Sequence, residues 1–225
     1  MWISIETSSR HSSVAVGEGE SCMREIALDG NASLILEPLI RDLKLDFNSL
    51  HYCVIGQGPG SYNGLRVGYA FLKGLLCLHP LPVAQVPTPL TLAMQGQATM
   101  KPVAPASFLI LNNARRGEIY SALVEVTDEK PVLRWETIGS ESALLQRLPS
   151  RLAAIISSDY TSSDLPAFSS HQWLSLAPSA ATAGQLAHRL KLPTSNNLSK
   201  LEPHYVRAPV PEKPIFPQTR SPLEN

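Results

Sequence analysis

The stretch Gly56-Gln57-Gly58-Pro59-Gly60-Ser61-Tyr62-Asn63-Gly64-Leu65-Arg66-Val67-Gly68 limits the fold more than any other part of this chain. The near-continuous apolar run His51 to Gln57 leads into it, and a long apolar helix leads out. Such a run suits a strand buried on both faces of a sheet. Residues lacking Cβ turn sharply at positive φ, and Pro59 stiffens the same turn. Ser61 is placed to cap the helix that follows. Gly60, Gly64 and Gly68 recur every four residues, so they share one smooth helical face that another backbone can approach closely.

A glycine loop at a helix N-terminus also suits an anion, because free N–H groups and the helix dipole point the same way. Two phosphate motifs can be tested here. A P-loop fails because Gly58 and Gly64 stand one residue too far apart and Leu65 follows where Lys is needed. A dinucleotide fingerprint fails because the sixth position from Gly56 is Ser61 and Pro59 interrupts the loop. Both readings, an unconventional anion cradle and a tight turn without a ligand, stay open.

The helix after the loop carries only two charges between Leu65 and Leu78. These are Arg66 and Lys73, on nearly the same stripe. A helix apolar around the rest of its circumference must be covered on two sides. One side can pack on the sheet, and the neighbour on the other is a helix starting at Asn31 or Ser33. Its apolar positions Ile35, Leu36, Leu39, Ile40 and Leu43 follow the helical period, with Pro38 kinking it or marking a late start. Two such helices leave a shared outer surface, which is either a protein interface or is covered by loops and the second half.

The flanking chain supplies the rest of an α/β unit. Trp2 to Glu6 and Ser12 to Gly17 read as a hairpin with Glu6 at its mouth. Ser21 to Leu28 is a third strand, Pro80 to Val86 another, and Thr88 to Gln97 a helix capped by Thr88. After a polar, proline-bearing stretch near 96–105 the pattern repeats. Ser107 to Leu111, Glu118 to Val126 and Lys130 to Ile138 are strands, Ser140 to Leu148 a helix and Leu152 to Ser157 a strand, followed by a helix from Ser179 to Leu190. The repeat favours two duplicated halves, 1–98 and 106–206, with a proline-rich extended or disordered tail over 207–225.

Composition removes several functions. The 225 residues are 17% charged with a formal net charge of zero, which argues against gripping phosphate backbones unaided. Cys22, Cys53 and Cys77 sit in apolar surroundings and read as free buried thiols of a reducing compartment. The first residues read as a strand and not a leader, and no apolar run spans a bilayer, so a cytoplasmic, membrane-free protein is expected. The histidines never take H-x-x-x-H spacing, so no metal is expected, and no G-x-S-x-G elbow occurs. Glu6 is the one carboxylate near a glycine loop. Its counterpart on the second hairpin is the neutral Asn113.

Four segments carry a resemblance: Ile3-Ser4-Ile5-Glu6-Thr7-Ser8, the run Gly58 to Gly68, Ala114-Arg115-Arg116-Gly117-Glu118-Ile119-Tyr120, and Glu202-Pro203-His204-Tyr205-Val206-Arg207. In order and spacing they resemble the bacterial TsaB (YeaZ) family over essentially the whole chain to about Arg207. The resemblance implies an actin-like ATPase-domain fold of two ribonuclease-H-like halves, in the sugar kinase, Hsp70 and actin superfamily. It further implies a non-catalytic accessory role in forming threonylcarbamoyladenosine beside the tRNA anticodon. The implied partners are the catalytic paralogue TsaD and the ATPase TsaE, or a second copy in a homodimer, with tRNA met only indirectly. The histidine motif of TsaD has no counterpart in Pro82 to Pro89, and the chain is short for TsaD. In the family the two helices flanking the glycine-loop strand form a bundle with a partner. Carried over, that points to Ile35, Leu36, Leu39, Ile40 and Leu43 with Leu65, Tyr69, Leu72 and Leu76. Glu6, Thr7, Ser8, Gly58, Gly60 and Ser61 are left as a vestigial nucleotide loop, with no cofactor expected beyond weak nucleotide binding. Ala32, Glu6 and Asn113 depart from the family's usual His, Asp and Asp. An actin-fold ATPase, kinase or metallopeptidase-like enzyme is the alternative.

Overall fold

A computed structural model gives the structure of the chain and describes residues 1–206; the tail expected over 207–225 lies outside the described residues. Strands β1 (Trp2–Glu6), β2 (His11–Glu18) and β3 (Ser21–Asp29) form an antiparallel meander. Helix α1 (Ala32–Leu43) starts at the earlier of the two candidate caps, where the Asn31 side chain accepts from the Ser33 N–H. Pro38 therefore sits inside the helix and does not delay it. β4 (Tyr52–Gly58) returns parallel to β1, α2 (Tyr62–Leu78) follows with Ser61 as its cap, and β5 (Val83–Pro87) lies parallel to β4. α3 (Thr88–Met100) has no side-chain cap, contrary to the role expected of Thr88, whose hydroxyl bonds elsewhere.

The second half repeats the plan. β6 (Ala106–Asn113), β7 (Ile119–Thr127) and β8 (Lys130–Gly139) form a second meander. α4 (Glu141–Leu145), capped by Ser140, leads to β9 (Ala154–Ser157), which lies parallel to β6. Where the first half has α2, this half has only the short turn Pro166–Phe168 before β10 (Trp173–Ser175). α5 (Ala180–Arg189), capped by Ser179, leads to β11 (Thr194–Ser195), which returns to pair with β5 in the first sheet. The sheet orders are β11-β5-β4-β1-β2-β3 and β10-β9-β6-β7-β8. This is an α/β chain with two mixed sheets, each led by an antiparallel meander, as expected from the sequence. β10 and β11 are three and two residues long, too short to show a period in the sequence.

The layers follow from which faces are apolar. α1 and α2 pack on one face of the first sheet, where Leu36, Leu39, Tyr69 and Leu72 meet Ile3, Ile5, Val14 and Ile55. α5 covers the opposite face through Ala183, Leu186 and Ala187 on Val54, Ala84 and Val86. Trp2 is wholly buried beside Ala180 and donates its indole N–H to the Gly19 carbonyl at 2.9 Å. α3 packs on the second sheet, with Leu92 and Ala93 against Phe108, Ile110 and Tyr120, and touches α5. The cysteines differ from expectation: Cys53 is buried, Cys22 half-buried and Cys77 exposed.

Candidate functional site

The glycine stretch begins where β4 ends. Gly58 has φ +92°, a conformation that suits glycine, and its N–H donates to the Thr88 hydroxyl at 3.2 Å. Thr88 in turn donates to the Ser8 hydroxyl at 3.2 Å, so the first residue of α3 ties the loop to the β1–β2 turn. Ser61 caps α2 by accepting from the Gly64 N–H at 3.2 Å, and its own N–H donates to the Ser8 carbonyl at 2.6 Å. The glycine face is filled from within the chain. A Cβ at Gly60 would collide with the Ser8 carbonyl, one at Gly64 with the Thr7 carbonyl, and one at Gly68 with the Thr7 hydroxyl. The smooth face expected to receive another backbone receives the chain's own Thr7-Ser8 turn.

Glu6 ends β1 at the mouth of the hairpin, but its side chain turns inward. It is fully buried, accepting the Ser8 N–H on Oε1 at 2.7 Å, while Oε2 has no hydrogen-bond partner among the described residues. Its carboxylate lies over Gly56, where any Cβ would collide with it. Burial pushes its pKa up from the ordinary 4.5, against the lowering effect of the Ser8 and Thr7 hydrogen bonds. A carboxyl buried and turned into the protein is not presented to an incoming cation. Among the described residues no group of three or more His, Cys, Asp or Glu is placed to hold a metal ion. On the second hairpin the exposed Asn113 accepts from the Arg115 N–H at 2.7 Å, and its own N–H donates to Asp159 at 2.8 Å. These residues do not fit a Mg²⁺–nucleotide complex: the carboxylate is buried, its counterpart is an amide engaged in its own turn, and Ser61 N–H is taken by Ser8.

The nine residues expected at a partner surface divide sharply. Leu36, Leu39, Leu43, Leu65, Tyr69, Leu72 and Leu76 are buried within this chain, and Ile35 and Ile40 are partly buried. Leu36, Leu39, Leu43, Tyr69, Leu72 and Leu76 belong to the core between the first sheet, α1 and α2, and Leu65 is buried against Gly58. Tyr69 also donates its hydroxyl to Gln85 on β5 at 2.7 Å, a tie that no local spacing reveals. The outer face of α2 is made of other residues. Arg66, Ala70, Gly74, Cys77 and Leu78 are exposed, with Val67 and Phe71 half-buried beside them. On α1 the exposed apolar residue is Leu34, 73% accessible, and Leu78 at the end of α2 is 76% accessible. The signal was in the sequence. Arg66 and Lys73 mark the wet side of α2, and Ala70 and Gly74 continue the stripe from Arg66 at four-residue steps.

A family model described as "TsaD: tRNA N6-adenosine threonylcarbamoyltransferase" matches residues 30–146, just over half of the chain and including α1, α2 and the glycine stretch. The chain belongs to this TsaD-type family. Its curated relatives in the family are TsaB proteins. One, from Bacillus subtilis (strain 168), is a tRNA threonylcarbamoyladenosine biosynthesis protein 31% identical over 87 residues, which is 39% of this chain and 36% of that protein. Its Escherichia coli (strain K12) namesake is 36% identical over 77 residues, or 34% of this chain and 31% of that one. The matched stretches thus span about a third of the curated relatives' length. Among solved structures, YeaZ from Pseudomonas aeruginosa superposes with a TM-score of 0.71 at 17% identity, covering 91% of this chain and 98% of that one. A second protein, described as similar to peptidase YEAZ from the same organism, gives a TM-score of 0.73 at 19% identity over 92% and 99%. Those two likenesses establish a shared TsaB/YeaZ fold across nearly the full described chain.

Proposed function

We propose that this chain is a non-catalytic subunit of the machinery that makes threonylcarbamoyladenosine in tRNA. On this reading it works in the cytoplasm by binding and supporting a TsaD-type catalytic subunit, with a TsaE-type ATPase as a further partner. The names of its TsaB relatives supply the pathway. One observation favours the accessory role: the Glu6 carboxyl beside the glycine loop is buried and turned inward, while the helix launched by that loop keeps an exposed stripe of small and apolar residues. Small residues let a second helix approach closely, and Leu78 and Leu34 supply apolar area at the helix ends. No helix among the described residues is long and apolar enough to cross a membrane.

Depleting the protein in its host and quantifying threonylcarbamoyladenosine in total tRNA tests the pathway directly. The modification falls on depletion and returns when the wild-type chain is restored. Undiminished modification after full depletion would remove the chain from the pathway.

A further inference from the structure

We propose that Leu201–Val206 is a latch that joins the two sheets and covers the β4 end of the glycine loop. The segment follows the turn Leu198–Lys200 and is fixed at both ends in different cores. Leu201 is buried in the cluster under α1 and α2, whereas Val206 packs against the cluster of the second sheet. Between these anchors His204 contacts both halves and Tyr205 holds the start of α2. The His204 N–H donates to the Gln57 carbonyl at the end of β4 at 2.8 Å, and its own carbonyl lies 3.2 Å from the place a Gly58 Cβ would take. Its ring nitrogen Nε2 meets Glu136 Oε1 on β8 at 2.6 Å, and the other oxygen of that carboxylate accepts the Tyr120 hydroxyl at 3.0 Å. Tyr205 packs on Tyr62, the first residue of α2, with ring centroids 5.3 Å apart, and Arg66 lies over the Tyr62 ring at 5.2 Å.

One six-residue segment thus holds β4, the start of α2 and β8 in a fixed relation. It does so with little: one backbone hydrogen bond, one ring–carboxylate contact, one ring pair and two apolar anchors. Segments held by few, part-exposed contacts open locally at a free energy well below that of global unfolding. The stretch from His204 to Val206 therefore releases as a unit without unfolding either sheet, while Leu201 stays anchored in the first core. A ligand approaching Gly58 from this side has to displace it. This inference does not depend on the proposed partner, since its contacts lie within one chain.

The test is amide hydrogen exchange of the full chain, read residue by residue, in the wild type, His204→Ala, Tyr205→Ala and Tyr120→Phe. His204 and Tyr205 are part-exposed, so their truncation leaves both cores intact. If the segment opens as one unit, cutting either ring anchor raises exchange at least tenfold at the His204 amide and also at the amides of β8 flanking Glu136. Tyr120→Phe, which removes one bond to the same carboxylate, gives a smaller rise at the same amides. If His204→Ala changes only the β8 amides and Tyr205→Ala only those near Tyr62, the two sheets are not joined through this segment and the latch is overturned. A circular dichroism melt of each variant separates local release from general destabilisation.

Discussion

At the scale of single residues, Glu6 has the clearest measurable consequence. Its folded-state pKa is raised by burial, so between the ordinary value of 4.5 and the raised value the unfolded chain ionises while the folded chain stays protonated. This group therefore costs nothing below about pH 4.5, and its penalty grows as the pH rises from there toward neutrality. Glu6→Gln, which keeps the shape and the acceptor for the Ser8 N–H, removes that dependence. The stability difference between variant and wild type shifts in the variant's favour from pH 4.5 to 7 in urea titrations; parallel pH profiles would contradict the assignment. Cysteine reactivity gives a second check. Cys53 is buried with its thiol pKa pushed up to about 12, whereas Cys77 is exposed. A maleimide consequently labels Cys77 in the native protein and reaches Cys53 only on unfolding. The sequence placed Glu6 beside the glycine loop but could not give its direction, because a strand-end residue points in or out according to the neighbouring strand. Here that neighbour, β4, carries Gly56 and leaves room for the side chain.

At the scale of elements, the glycine helix makes predictions of opposite sign. Gly68→Ala drives a Cβ into the Thr7 hydroxyl and should destabilise by about 1–3 kcal/mol, the ordinary range for overpacking. Gly74→Ala places its Cβ in open space on an exposed helical position and should stabilise by up to about 1 kcal/mol. Equal effects of the two in chemical denaturation would refute the claim that Gly68 packs on the Thr7-Ser8 turn while Gly74 faces open space. The strand–loop–helix succession, the meanders and the duplicated plan were legible because hydrophobic period and turn residues are local signals. The facing of α2 was not resolved correctly, because an almost wholly apolar helix offers a weak contrast. Of its large residues expected at a partner surface, Tyr69, Leu72 and Leu76 pack in the core with the sheet and α1, and Leu65 is buried against Gly58. Thr88 departs from its expected capping role for a related reason: its hydroxyl answers Gly58 and Ser8, neither of them near it in sequence.

At the scale of the whole molecule, the two halves have unequal duties. The first keeps both helices α1 and α2, while the second has the short turn Pro166–Phe168 where α2 would lie and so lacks a matching helical face. Partner binding is therefore expected to depend on the outer face of α2 and to leave the second sheet's surface untouched. Leu72→Asp is a poor probe of this surface, since it buries a charge in the first core and should cost at least about 3 kcal/mol of stability. Ala70→Glu is the appropriate variant: position 70 is exposed, and Glu is a good helix former. The measurement closest to the central claim is the dissociation constant of the purified chain with the TsaD-type protein of the same cell, wild type against Ala70→Glu, with melting temperatures recorded in parallel. We expect a stable heterodimer for the wild type and at least a hundredfold weaker binding for the variant at unchanged melting temperature. An unaltered dissociation constant for Ala70→Glu would contradict this account.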